Sequence, residues 1–487
     1  MLRTLSFVFL ILISFHSFNL SAQDFKQIVK GLVINEETKM PLEGVKVNLT
    51  TNADSRTVLS NNDGEFSFVD IPVGRADLSF TRQDYELYEA ADILVSSGKE
   101  VVLNIRLSPS THVLTTVDVN AVRMKGEALN RMATVSAYTI NIEETQKFAG
   151  SWDDPMRVVT SFPGIIQRNS GFNSFTVRGN APVGMLYRLE GVPIHNPNHF
   201  AAIGSTGGFI TQFSTQLLTT SEFFSGAFPA EFGNATTAVF DFKFRSGNND
   251  KREHAASINV FGVDFATEGP FKKGGKGSYL INYRYSSLGI LANALRFESI
   301  VPAYQDLSFN LNFPTKNAGT FKLFGIGGLS NLTIAAEQDS TQWDGNKNRV
   351  ERNLGSNSGA LGLVHYVRTS DKSYWHTVIA GSIGEYYDNA DYFHDNLTFD
   401  PREISDYLDT RLTLTTDYNH RFSKRHSNKT GLIVTHINHE YEVASYNKMI
   451  GGLDTFGITS GASQTYQAFT QSKFIVTENV GFNIGLH

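Results

Sequence analysis

The chain has 487 residues, enough for about three domains, and carries 42 Lys and Arg against 48 Asp and Glu, a formal charge of −6. That balance gives neither the basic excess that holds nucleic acid nor the acidity of a disordered segment. With 18% charged residues, 12% aromatics, 41 Gly and no Cys, it favours β structure and excludes disulfides, thiolate catalysis, thiolate zinc sites and cysteine-ligated iron–sulfur clusters.

Met1-Leu2-Arg3 places one positive charge ahead of the apolar run Leu5 to Leu20, and Ser21-Ala22 supplies small residues before Gln23. Residues 1–22 therefore read as a secretory signal peptide, with cleavage expected after Ala22. The run is shorter than the roughly 20 residues a spanning helix needs. A chain exported in this way is either soluble outside the cytoplasm or crosses a membrane as a β-barrel.

Residues 24–109 show short alternating runs broken by turn residues. Val45, Val47 and Leu49 share one face at period two. Asn61-Asn62-Asp63-Gly64 predicts a hairpin turn, since Asp and Gly accept the backbone angles of tight turns. Phe66 and Phe68 then alternate inward, Ile71 to Gly74 closes that strand, and Ala76 to Phe80 and Val101 to Leu107 follow. Roughly seven strands in so short a span is the density of a β-sandwich. The order GLVINEETKMPLEGVKVNL, then NNDGEFSFVDIPVGRADLSFTRQDY, resembles the carboxypeptidase regulatory-like domain, a transthyretin-like sandwich. No His lies between Asp24 and Pro109, so the segment is expected to be an accessory sandwich without peptidase chemistry.

Residues 110–123 form a linker holding the alternating strip Thr115 to Arg123. By itself this reads as an ordinary strand; a peptide that adds to another protein's sheet edge is the alternative. Ser151 to Thr160 predicts a short helix, from a capping-type Ser, acids in the first turn and apolar Met156, Val158 and Val159. Then come SFPGI, TVRGN, LEGVPI and GAFPAEFGN, ahead of a strand over Ala238 to Phe244. This order resembles the plug domain of TonB-dependent outer-membrane receptors. The sandwich before it resembles the extension common in the Bacteroidetes type of that family. The resemblance implies a small α+β plug over 124–249. It also implies that Val117, Asp118, Val119, Asn120 and Ala121, in the strip that runs on to Arg123, contact the TonB complex of the inner membrane. Physically, a wide barrel leaves an open lumen for a folded domain to fill.

Residues 250–487 read as amphipathic strands joined by alternating short and long polar connections. Leu307 to Phe313 alternates throughout. Tyr279, Ile281, Tyr283 and Tyr285 face one way, Asn282 and Arg284 the other; Leu412 and Leu414 oppose Arg411, Thr413 and Asp417. Apolar to lipid and polar to lumen is the outer-membrane barrel pattern. A soluble sheet with one wet face alternates in the same way, but the plug and leader ahead of it favour the membrane. Ten strands are expected, near 255–267, 278–286, 306–313, 319–326, 357–368, 374–388, 407–420, 429–442, 463–475 and 479–487. The connections Ala335 to Gly355 and Tyr387 to Ile404 are expected to face outward, where ligand arrives. A plugged transporter uses about 22 strands, so this region is expected to be the N-terminal part of a partial antiparallel barrel, in a fragment or a truncated product.

His195-Asn196-Pro197-Asn198-His199 has the spacing of a helical metal pair, but Pro197 interrupts any helix there. No metal and no cofactor is assigned. As the apex loop of a plug, His195, Asn196, Asn198 and His199 are expected to face ligand through hydrogen bonds. Arg178 and Glu231 are expected to pair with charges on the barrel wall, because a charge at a buried seam must find a partner; exposure on the plug rim is the alternative. Gly274 to Ser278 lacks the Ser or Thr after Lys276 and the following helix that a phosphate loop needs, so it reads as a basic hairpin turn. No catalytic arrangement appears, and an enzyme is not expected. The expected function is binding of a small ligand (a siderophore, glycan, peptide or cobalamin-like compound) with energised uptake at the cell outer membrane. TonB, outer-membrane lipid and a surface lipoprotein are the expected partners. The rival readings are a surface or periplasmic module that binds or signals without transport, and an accessory to a secreted peptidase system.

Overall fold

The computed structural model describes residues 25–36, 40–52, 54–110, 129–130, 132–133, 135–140, 142–167, 169, 171–201, 207–258, 262–286, 300–345, 348–396, 398–477 and 480–487. The signal peptide and the strip Val117 to Arg123 lie outside these residues. The described residues form two compact units, 25–35 with 41–108 and the remainder. Among them no helix is long and apolar enough to cross a membrane.

The first unit holds β1 (Lys26–Asn35), β2 (Lys46–Thr51), β3 (Ser55–Leu59), β4 (Glu65–Pro72), β5 (Gly74–Thr81), β6 (Tyr88–Val95) and β7 (Val101–Leu107). They make two sheets, β4-β1-β7 and β3-β2-β5-β6. The period-two positions Val47, Leu49, Phe66, Phe68, Leu78 and Phe80 are buried between them. The rings of Phe66 and Phe80 meet edge-on at 5.4 Å. Asn61 to Gly64 is a turn, but not a hairpin: β4 pairs with β1, so the turn carries the chain from one sheet to the other. Asn61 Oδ1 accepts from the Asp63 and Glu65 amides. Gly64 has φ of 75°, and a Cβ there would lie 2.5 Å from the Val33 carbonyl oxygen.

The second unit begins with β8 (Ala137–Ile140), α1 (Ile142–Lys147), β9 (Ile165–Gln167), β10 (Phe175–Val177), β11 (Met185–Leu189), β12 (Val192–Ile194), β13 (Asn198–His199), β14 (Ile210–Thr211), β15 (Ser221–Phe224) and β16 (Ala238–Phe242). A five-stranded mixed sheet, β12-β11-β16-β15-β8, is its centre. Every residue of β16 is buried, and Phe213, Phe223, Phe240, Phe242 and Phe244 fill the core. The helix expected over Ser151 to Thr160 is absent. Two 3-10 turns, Ala149–Ser151 and Arg157–Ser161, stand there instead. Trp152 and Asp153 between them are left-handed, with φ of 55° and 61°. The Asp154 carboxylate explains the break. It accepts from the Met156 amide at 2.8 Å, Asn173 Nδ2 at 2.7 Å and the Thr211 amide at 3.0 Å, bonds a regular helix could not supply together.

The rest is one antiparallel meander of eleven strands in sequence order. These are β17 (Glu253–Ile258), β18 (Gly262–Pro270), β19 (Ser278–Ser286), β20 (Ile300–Pro314), β21 (Thr320–Ile334), β22 (Val350–Ser370), β23 (Ser373–Phe393), β24 (Phe399–Ser423), β25 (His426–Asn447), β26 (Gly452–Thr477) and β27 (Val480–Leu486). The expected strand over 255–267 is two strands, paired Ile258 to Val263. The apolar parity changes there, from Ile258 and Val260 to Phe261, Val263 and Phe265, and Gly262 marks the reversal. Among the described residues, β17 pairs only with β18 and β27 only with β26. One face presents Leu307, Leu412 and Leu414 to the outside, while Ser308, Asn310, Thr413 and Asp417 are buried against the smaller sheet's domain. Short turns, 271–277, 315–319, 371–372 and 424–425, join one end of the strands. At the other end the expected connections are shorter than read: Tyr387 to Phe393 and Phe399 to Ile404 continue as paired strand. Polar side chains do not stop a ladder made by backbone groups.

Candidate functional site

The chemistry of the second unit concentrates where its small domain meets the inward positions of the large sheet. His199, on the two-residue strand β13, is fully buried, with Nε2 3.0 Å from Asp306 Oδ2 on β20. Arg284 on β19 donates Nη2 to the same carboxylate at 2.8 Å and to the Thr211 carbonyl at 2.6 Å. Burial pushes the His199 imidazole below its usual range, against the pull of Asp306.

A second group centres on Glu231. Its Oε2 lies 2.6 Å from Lys429 Nζ on β25 and 3.3 Å from Arg188 Nη1 on β11. Its Oε1 accepts from Asn130 Nδ2 at 2.8 Å. Lys429 is also 3.5 Å from Asp417, which accepts from His376 Nδ1 at 2.7 Å. Burial would raise the Glu231 carboxyl, but Lys429 and Arg188 overcome it and hold the pKa at about 2.

A third contact across the seam is His195, Nε2 3.6 Å from Asp409 Oδ1 on β24. Burial first, then the Arg411 charge, lowers its pKa to about 4, with Asp409 opposing. It lines a small cavity with Ile194, Pro197, Gln212 and Ser358. Two glycines of the large sheet make room for the domain's side chains. A Cβ at Gly384 would lie 2.7 Å from the His195 ring, and one at Gly328 2.5 Å from the Gln212 side chain.

The loop expected to face ligand is divided. Asn198 and His199 are fully buried, whereas His195 and Asn196 are partly exposed. Asn198 donates to Asn196 Oδ1 at 2.7 Å and accepts from Asn173 at 2.8 Å. Asn196 Nδ2 donates to the Gly207 carbonyl. The two imidazoles point to different carboxylates. Among the described residues no three His, Asp or Glu side chains are grouped to hold a metal ion. Among the described residues, Arg178 partners hydroxyls and not charges. Its guanidinium donates to the Ser136 and Ser225 hydroxyls at 2.6 and 3.3 Å, both in its own domain. The inward charges Asp306, Asp409 and Lys429 were missed as site residues. Their signal was parity: each stands at a polar-face position of an alternating strand.

Residues 28–108 match the family model of the carboxypeptidase regulatory-like domain. The FpvAI–pyocin S2 complex aligns with a TM-score of 0.50 at 11% identity, over 73% of this chain and 52% of that one. The chain shares the fold of TonB-dependent outer-membrane receptors. The pyoverdine outer membrane receptor FpvA from Pseudomonas aeruginosa PAO1, solved with pyoverdine, aligns at 0.49 with 12% identity over 73% and 56% of the two chains. The outer membrane transporter YddB from Escherichia coli aligns at 0.48 with 11% identity over 72% and 56%. The chain spans about half the length of these solved structures. Curated protein sequences gave no match. In the terms of that fold, the small domain corresponds in place to the plug and the eleven strands to part of the barrel wall.

Proposed function

We propose that this chain serves as a TonB-dependent outer-membrane receptor, binding a small ligand on its outward side and taking it up with energy delivered from the inner membrane. The observation that supports this reading best is the seam itself. A compact plug sheet is ion-paired through Glu231 to Lys429 on the polar face of a sheet whose other face is apolar. An apolar outer face and polar inner face suit strands in lipid around a filled lumen. A sealed lumen also needs both sheet edges covered, since unpaired backbone groups in lipid cost several kcal/mol each. The reading therefore applies to the closed barrel, of about 22 strands in plugged transporters.

In this reading, residues 1–22 direct export and the wall lies in the outer membrane. Val117 to Ala121 add as a strand to TonB, while His195 and Asn196 stay closest to arriving ligand. The ligand is of the siderophore, glycan, peptide or cobalamin kind. Strand addition depends on backbone N–H groups, which proline removes. In the complete receptor, Val119→Pro should abolish uptake of its ligand while Val119→Ala reduces it little, with surface binding intact in both. Normal uptake by the proline variant would overturn the assignment of the strip.

A further inference from the structure

We propose that the short-turn rim of the large sheet is a binding surface for anionic phospholipid headgroups in the leaflet on that side; this rests on the reading that the sheet lies in lipid. Outward rings gather within a few residues of the short turns. Phe271 stacks on Phe313 at 4.9 Å, and Trp375 meets Tyr418 at 5.0 Å. Phe422 stacks on His426 at 4.7 Å, and Phe474 on Phe482 at 5.0 Å. Phe313, Trp375, Phe422 and Phe482 are all exposed on the apolar face. Such a belt marks the boundary between hydrocarbon and headgroups.

Just beyond the belt, the turns are basic. Lys272, Lys273 and Lys276 lie on the first and Lys316 on the second, all exposed. Lys372 lies on the third, and Lys424 and Arg425 on the fourth, again exposed. The acid on these described turns is Asp371, which meets Arg368. Neighbouring strands are about 4.8 Å apart, so successive hairpin tips repeat roughly every 10 Å. That is about a Debye length at 0.1 M salt, so the potentials of the tips add. The opposite end of the strands is mixed with acids in excess, Glu337, Asp339, Asp344, Asp395, Asp400 and Asp454 near its tips against Arg349, Arg402 and Lys448. In a chain of net charge −6, the short-turn rim thus stands out by its excess of positive charge. Headgroup phosphates carry the complementary sign at the depth the belt sets.

Trp375 is a built-in reporter. The complete receptor, with its barrel closed, would be reconstituted in vesicles of phosphatidylcholine and phosphatidylglycerol, with one or the other brominated, and fluorescence quenching measured. Its loss in Trp375→Phe assigns the quenched signal. Brominated phosphatidylglycerol should quench roughly threefold more effectively than brominated phosphatidylcholine at low salt, and the preference should vanish at about 1 M NaCl. Lys372→Gln with Lys424→Gln and Arg425→Gln should abolish the preference, while Lys448→Gln at the far tips should leave it intact. Equal quenching by both lipids would overturn the proposal with lipid contact still standing. No quenching by either would overturn the membrane reading beneath it. Should the triple variant fail to insert, the salt dependence of the unsubstituted chain decides.

Discussion

Glu231 and His195 titrate in opposite senses against the seam they occupy. Glu231 holds its proton less tightly in the fold, near 2 against 4.5, so its stabilisation is complete above pH about 4.5 and is lost as pH falls toward 2. His195 is held near 4 against 6.5, so the unfolded chain takes up a proton that the fold refuses, and stability falls between pH 6.5 and 4. Hydrogen exchange of plug amides should therefore accelerate in two steps on acidification, the first removed by His195→Gln. Glu231→Ala strands Lys429 and Arg188 without their shared carboxylate and should cost about 3–5 kcal/mol of plug protection at neutral pH; unchanged exchange would contradict the pairing. Glu231 was legible as a site residue because an acid stood inside a small, turn-rich motif. Its partner was not, since Lys429 is 198 residues away and only the folded sheet brings them together. The burial of His199 was equally hidden, because a two-residue strand is too short for alternation to show.

The strands were legible wherever one face was apolar, and the reading weakened where that contrast ended. Beyond the apolar stretch, β22 to β26 run on for 21 to 26 residues in all, longer than the 9–11 that cross a bilayer. A ladder of rings and guanidiniums binds these projecting hairpins. Arg349 lies 4.0 Å from the Trp343 ring and 4.8 Å from that of Tyr392. Arg402 lies 4.7 Å from Tyr392 and 3.8 Å from Tyr446. Arg402→Lys keeps the charge but loses the planar stack, so it should remove about 1 kcal/mol per ring contact. The expected result is faster hydrogen exchange at the tips of β23 to β26, with the short-turn end unaffected. Equal exchange throughout would show that backbone pairing alone holds the tips. No pattern in the sequence announces this ladder, because its members come from three separate hairpins. The missing helix near Asp154 has a similar origin: the acid read into its first turn bonds instead to Asn173 and Thr211, which lie far along the chain.

The sandwich has its own core, from Val29 to Leu107, and residues 24–109 expressed alone should melt cooperatively with β-sheet signatures; a broad, non-cooperative transition would show that it borrows stability from elsewhere. Its strand count was legible because turns recur at short intervals, whereas its sheet membership was not, since a turn's residues do not name the strand that follows it. The plug has a different character, set by chain order. Its edge strand β8 is held by four residue pairs to β15, and just upstream Asn130 donates to Glu222 at 2.7 Å and Glu231 at 2.8 Å. Tension arriving from the N-terminal side loads Asn130 first, then β8, before it reaches β16, which is flanked on both sides. Glu231 is also held from the large sheet by Lys429. On the reading proposed above, a pull from that side would act as on a fuse in series, freeing the first strand of the domain before its buried centre.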